Sequence, residues 1–179
     1  MAEVKTAAMD PLVHGIRLVL VRELTAFQRE IEMFPDDELV WRAPPGISNS
    51  AGNLALHVAG NLQHFVGAVL GASGYVRARE REFSRRSGTR AELVQELARA
   101  IEAVRSVLPG VPTEALSRTF PDHVYGIEVP TRLFLLHLVT HLAHHLGQAG
   151  YLRRALTGEN RVSGAIAVLE LADEAGDRV

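Results

Sequence analysis

One stretch of the sequence concentrates side chains that bind metal ions. Four of the eight histidines of the chain lie within nine residues of one another, at His137, His141, His144 and His145. With about 100° of rotation per residue of an α-helix, His141 and His145 lie about 40° apart and one turn from each other. Such an i, i+4 pair can point both imidazoles at one ion. The other two histidines share this broad face, which Gln148 continues.

The surroundings of these histidines favour a bound ion. The other faces of the helix are almost wholly apolar, which is typical of a helix buried on all sides. A buried polar group without a partner costs about 1–3 kcal/mol, and protonated imidazoles repel one another. The simpler interpretation, core histidines bonded to carbonyls or water, suits a single histidine better than four on one face.

A second polar stripe runs along an earlier apolar helix. Asn53, His57, Asn61 and His64 follow one another at i, i+4, i+8 and i+11 between residues 50 and 70. This segment contains no Glu, Lys or Arg, whereas stripes that face solvent usually carry them. The stripe is therefore predicted to face inward. His57 and His64 lie on the same face, so spacing alone does not choose between them as a third ligand.

One histidine from the second helix, with His141 and His145, would give three neutral imidazoles. This set suits Zn²⁺ or Ni²⁺. A site with three protein ligands leaves positions for water and substrate, and such an ion makes a nucleophile of water or a thiol near pH 7. No carboxylate lies on the histidine face of either helix, so Mg²⁺ and Ca²⁺ are not expected.

Helical periodicity and capping signals predict the elements that carry these side chains. They predict helices over 10–34, 48–70, 89–109 and 131–156, and a short fifth helix over 163–174. The predicted caps of the four long helices are Asp10, a serine at position 48 or 50, a Thr89–Glu92 capping box and Thr131. Residues 71–88 are interpreted as a solvated connection. An anion-binding rim of a pocket is the alternative interpretation. Residues 111–130 are interpreted as an extended flap or hairpin that carries His123. The sequence thus predicts one all-α domain over residues 1–179, an up-and-down four-helix bundle with two long connections.

Composition excludes several classes of function. The net charge of −2 gives no general attraction to nucleic acid or to an anionic membrane. The chain has no cysteine, so disulfides, thiolate metal sites and a cysteine nucleophile are excluded. No uninterrupted apolar run reaches the length of about 20 residues that a membrane span needs, and the first ten residues do not resemble a signal peptide. A cytoplasmic protein that acts on a small molecule is expected.

Two segments carry a resemblance to a known family. Residues 50–57 open the second helix, and residues 141–148 read His-x-x-His-His-x-Gly-Gln. The chain resembles the DinB-like (YfiT-like) metalloenzyme superfamily in both. The resemblance implies a helical bundle with a divalent metal held by His57, His141 and His145, while His144 is not a ligand. It also implies homodimers, and transfer or isomerisation reactions that use low-molecular-weight thiols such as bacillithiol or mycothiol.

The leading hypothesis is a metal-dependent enzyme that activates a thiol or water to attack a small electrophile, with a thiol S-transferase favoured over a hydrolase. The alternative is a non-catalytic, metal- or small-molecule-binding dimerisation module. His64 and His137 are candidates for a fourth ligand, a partner of a ligand, or a general base. Further candidates are three amides that would orient ligands or substrate and two arginines that would bind an anionic cosubstrate: Asn53, Asn61, Gln148, Arg77 and Arg79.

Overall fold

The computed structural model describes residues 9–122, 126–165 and 167–175. Within these ranges the chain is helical and forms no β-strand, apart from one isolated bridge between Thr119 and Pro130. The predicted all-α class, with four long helices and a short last one, is confirmed. The elements are α1 (Pro11–Glu32), α2 (Ala51–Leu62, extended by a π-helix over Gln63–Leu70), α3 (Arg79–Ser84), α4 (Arg90–Val107), α5 (Thr131–Thr157) and α6 (Val168–Ala175).

Local capping fixes the helix ends where the sequence predicts them. The Asp10 carboxylate accepts the first free N–H groups of α1, and the predicted Thr89–Glu92 capping box opens α4. Gly158 ends α5 with φ of 72°, a conformation that glycine adopts without strain. The prediction that Thr131 caps α5 is wrong. It is the first helical residue, and its hydroxyl donates to the carbonyl of Arg118 at 3.1 Å.

The packing order of the bundle differs from the order of the chain. Helices α1 and α2 each pack against both α4 and α5, so α1 and α2 lie across the bundle from each other. Long connections permit this arrangement because they can cross one end of the bundle. Its consequence for function is that α2 and α5 are direct neighbours, and the polar stripe of α2 faces the histidine face of α5.

Helix α5 is not buried on all sides, contrary to the prediction from its apolar sequence. Leu133, Leu136 and Tyr151 are 53%, 42% and 75% exposed, respectively. The reason is that α5 occupies a corner of the bundle and is covered mainly by α1 and α2. His137 and His144 lie on the exposed side, whereas His141 and His145 are half-buried at the junction with α2.

The interpretation of residues 71–88 as a solvated connection holds for most of the segment, which is exposed, but not for Glu82, which is buried. This segment forms α3, which packs on α2 and buries the side chain of Glu82. Glycine at position 60 makes the approach possible, since a Cβ there would collide with the Glu82 carboxylate. The Asn53 amide donates at 2.9 Å to the carbonyls of Glu82 and Arg85 and so fastens the segment to α2. The buried carboxylate of Glu82 is tolerated because it pairs with the guanidinium of Arg77.

The second long connection is extended only beside one isolated bridge, and Thr113–Ser117 instead form a 3₁₀ helix. The N–H of Phe120 donates to the carbonyl of Val129 at 2.8 Å, beside the bridge between Thr119 and Pro130. His123 lies outside the described residues. Among the residues whose positions are described, no helix combines the length and the apolar character needed to cross a bilayer.

Candidate metal centre

Three imidazoles from α2 and α5 meet at the junction of these helices. The Nε2 atom of His141 lies 3.1 Å from Nε2 of His57 and 3.2 Å from Nε2 of His145. One ring nitrogen from each histidine lies within 4.8 Å of the other two. His57 is buried in the middle of α2, and the other two occupy successive turns of α5. The structure therefore brings together the three residues that the family resemblance selects.

In two of these rings the Nδ1 atom lies beside an oxygen acceptor, which fixes the position of the ring proton. His57 Nδ1 lies 2.9 Å from Oε2 of Glu82, and His145 Nδ1 lies 2.7 Å from Oε1 of Gln148. A carboxylate or amide oxygen only accepts, so each Nδ1 carries the proton and donates it. Nη2 of Arg77, which is a donor, also lies 3.2 Å from Nδ1 of His57, but it makes the shorter hydrogen bond of 2.8 Å to Glu82. Each Nε2 atom then presents a lone pair to the centre. This is the usual way in which proteins prepare a metal-binding histidine.

The contacts between the Nε2 atoms test whether a metal fits. Neutral His141 can donate one proton from Nε2, but it has two close Nε2 neighbours that already act as acceptors. The single N–H can point at only one of them, so the other contact near 3 Å holds two nitrogen atoms together without a hydrogen bond. A cation among the three nitrogens removes this conflict. Three imidazoles fit a divalent transition ion such as Zn²⁺ or Ni²⁺, so the residues present suit the implied metal.

The electrostatics of the centre keep His141 and His145 neutral. Burial, followed by the neighbouring His145 and His57, lowers the pKa of His141 from 6.5 to about 3. Burial is also the main cause of the lowered pKa of His145. Since a metal binds only the deprotonated ring, protons do not compete for these ligands at neutral pH.

Glu82 is a functional candidate that the sequence analysis missed. Its two carboxylate oxygens accept hydrogen bonds of 2.7 and 2.8 Å from Nε and Nη2 of Arg77, and Oε2 also accepts from His57. Burial would raise the pKa of Glu82, but the hydrogen bonds from Arg77 and His57 outweigh this effect and lower it. No local pattern distinguishes Glu82 from Glu80, which lies exposed on the same short helix.

The other predicted residues lie at different places around the centre. Gln148 contacts His145 directly, as expected of a side chain that orients a ligand. Asn53 instead holds α3, away from the ligands. His64 Nε2 lies 3.1 Å from Oδ2 of Asp122, and its ring is outside the cluster of three. His137 is also outside that cluster, although its ring centroid lies 5.7 Å from that of His141.

A cavity of about 470 Å³ opens beside the three imidazoles. His57 and His141 form part of its wall, so a substrate in the cavity would reach the centre. The volume falls in the range of about 300–1,000 Å³ that is usual for small-molecule sites. The remaining lining residues are two phenylalanines, two arginines, an amide and a further histidine: Phe65, Phe134, Arg77, Arg79, Asn61 and His137.

The neutral state of His141 predicts a loss of stability in mild acid for the metal-free protein. The unfolded chain protonates His141 near its ordinary pKa of 6.5, whereas the folded state keeps it neutral down to about 3. The unfolded state therefore binds more protons in this window, and the free energy of unfolding decreases as the pH falls. Thermal unfolding in chelator at pH 7 and pH 5 measures the effect.

The pH dependence of the melting temperature should be smaller in His141→Asn and unchanged in His144→Asn, which alters an exposed histidine of the same helix. Titration of Glu82 does not affect this comparison. Its pKa is lowered from 4.5, so it changes the free energy of unfolding only below about pH 4.5. A wild-type melting temperature equal at both pH values would contradict the burial of a neutral His141.

A comparison with known families identifies the family of the chain. A family model described as the DinB superfamily matches residues 20–149. The matched segment is well over half of the chain and contains the three clustered histidines, Glu82 and Gln148. No curated protein matches the chain. On the strength of this match, the protein belongs to the DinB superfamily.

Proposed function

We propose that this protein is a metal-dependent enzyme whose divalent transition ion, Zn²⁺ or Ni²⁺, is held by His57, His141 and His145. The observation that carries the proposal is the convergence of three Nε2 atoms, two of them on rings whose Nδ1 has an acceptor, beside a cavity of small-molecule size. Three protein ligands leave coordination positions for a reactant, as in catalytic and unlike structural sites. Membership of the DinB superfamily fits the same function.

The favoured reaction is transfer of a thiol to a small electrophile. When bound, the ion would lower the pKa of a thiol or a water molecule and so supply a nucleophile near neutral pH. In the transfer, the thiol loses its proton, the sulfur forms a bond to an electrophilic carbon, and the leaving group departs with the electrons of the broken bond. Hydrolysis follows the same scheme with water as the nucleophile.

Of the two histidines considered as a general base, His137 is the better placed. It lines the cavity beside His141, where it would take the proton of the thiol. The ring of His64 instead uses Nε2 to contact Asp122. The chain's other contribution is rigidity, since Glu82 and Gln148 hold two of the ligand rings in place. Preorganised ligands of this kind hold a reactant in one orientation.

A thiol-dependence assay tests the reaction. Metal-loaded protein is given monochlorobimane with and without bacillithiol, mycothiol or cysteine, and release of chloride and the fluorescent thioether are followed. We expect turnover only with thiol, and a decrease of about 10²–10⁴-fold in His137→Gln, the range typical of losing a general base. The exposed His144→Gln variant, on the same helix, should keep full activity.

The outcomes separate the rival functions. Equal consumption of electrophile without thiol would contradict the transferase and favour a hydrolase. No turnover by metal-loaded protein with any thiol and a panel of chlorides, epoxides and esters would favour the non-catalytic binding module. Several expectations from the sequence remain predictions. They are the small-molecule substrate, the homodimer, the absence of nucleic-acid and membrane partners, and the cytoplasmic location.

A further inference from the structure

The cavity beside the candidate metal centre carries an unbalanced positive charge. Its lining includes the guanidinium groups of Arg77 and Arg79, and no carboxylate lines it among the residues that the structure describes. The two arginines differ in their partners. Arg77 makes two hydrogen bonds to Glu82, which neutralises its charge within the protein.

Arg79 has no acidic partner in the described part of the chain. Its guanidinium carbon lies 5.1 Å from the ring centroid of Phe83, so the group stacks on an aromatic face. Stacking leaves the edge of a guanidinium free to donate hydrogen bonds, which is how arginine binds planar anions. The exposed rim of the cavity thus carries one oriented guanidinium whose donors no described acidic group uses.

The cavity lining also includes uncharged groups, which indicate the chemistry of the rest of the ligand. Phe65 and Phe134 pack edge to face, with centroids 4.9 Å apart, and offer an apolar surface. Asn61 is buried in the same wall, and its amide makes no hydrogen bond with any described residue. The lining therefore suits a molecule with one anionic group, an apolar body and a polar substituent.

We infer that this cavity binds a small carboxylic acid whose carboxylate pairs with Arg79, so that Arg79 determines specificity for acidic substrates. The inference rests on the proposed function, since it identifies the class of molecule that would be presented to the three histidines. A carboxylate is favoured over a phosphate ester because one unpaired guanidinium matches a single negative charge. Bidentate pairing with the planar carboxylate then fixes the orientation of the substrate.

Binding of a charged probe and its neutral analogue tests this inference without any assay of activity. Phenylacetate and phenylacetamide have nearly the same shape but differ in charge. Isothermal titration at neutral pH, with chelator-treated protein and with Zn²⁺-loaded protein, gives both dissociation constants. We expect phenylacetate to bind about tenfold more tightly than the amide, as for a hydrogen-bonded charge pair. In Arg79→Gln the two constants should agree within about twofold.

Arg81→Gln is the matched control. Arg81 lies on the same short helix and is exposed, but it lines a different cavity with Tyr75 and Glu96. Both variants change the net charge equally, so a general electrostatic effect would appear in both. The carboxylate preference should survive fully in Arg81→Gln. It should survive in part in Arg79→Lys, because lysine keeps the charge without the planar fork.

Each result has a definite meaning. Equal affinity of the wild type for acid and amide, an unchanged preference in Arg79→Gln, or an equal loss in Arg81→Gln would overturn the inference. Tighter binding of phenyl phosphate than of phenylacetate would overturn the carboxylate assignment.

Metal content, measured on the same samples, separates the two proposals. A carboxylate preference without metal binding would contradict only the enzyme, and metal binding without the preference would contradict only the role of Arg79.

Discussion

Replacing His141 with alanine is expected to abolish metal binding. His141 is the central member of the cluster, because its Nε2 atom is the close neighbour of both other Nε2 atoms. Its loss leaves two ligands from different helices. Loss of a group that merely orients a ligand weakens metal affinity by about 10–100-fold, so loss of the central ligand should exceed about 100-fold. Plasma mass spectrometry of untagged protein after loading and gel filtration measures the metal retained per chain.

Two histidine variants serve as controls for this experiment. His144→Ala removes an exposed imidazole three residues further along α5, and His64→Ala removes the alternative ligand of α2. Both should retain about one metal per chain, the stoichiometry of a single three-histidine site. Metal retained by His141→Ala but lost by His64→Ala would mean that the ligand set is wrong. A wild type that binds neither Zn²⁺ nor Ni²⁺ in excess would show that the histidines are polar core residues, and the non-catalytic module would then lead.

Replacing Glu82 with glutamine is expected to weaken both the metal site and the fold. The carboxylate orients His57 through a 2.9 Å hydrogen bond and holds the partly buried guanidinium of Arg77. Loss of the oriented carboxylate should weaken metal affinity by about 10–100-fold. The uncompensated charge of Arg77 should lower the free energy of unfolding by as much as about 3 kcal/mol. A chelator competition titration gives the first quantity, and urea unfolding of the metal-free protein gives the second.

Matched variants separate orientation of the ligand from general damage. Glu80→Gln alters an exposed carboxylate two residues away on α3 and should change neither quantity. Arg77→Gln disturbs the same ion pair but leaves the hydrogen bond between His57 and Glu82, so it should reduce stability more than metal affinity. If Arg77→Gln weakened metal binding as much as Glu82→Gln does, Glu82 would be a structural residue without a specific effect on His57.

The sequence alone was sufficient for features that depend on local interactions. The lengths of α1, α2, α4 and α5 follow from apolar periodicity, and their ends follow from caps formed within a few residues, such as Asp10 and the Thr89–Glu92 pair. The pairing of His141 with His145 is equally local, since one helical turn fixes the distance between them. The lack of cysteine excluded thiolate ligands and a cysteine nucleophile, and the charge balance gave no general attraction to nucleic acid.

Only the tertiary structure decided which distant groups meet. Helical spacing could not choose between His57 and His64, because both lie on one face of α2. The choice depends on where α5 crosses that face. Glu82 and Arg77 reach His57 because the connection after α2 folds back as α3, over the space that Gly60 leaves. The exposed side of α5 likewise follows from its corner position. Such contacts join residues far apart in the chain, and no local periodicity or capping signal encodes their distance.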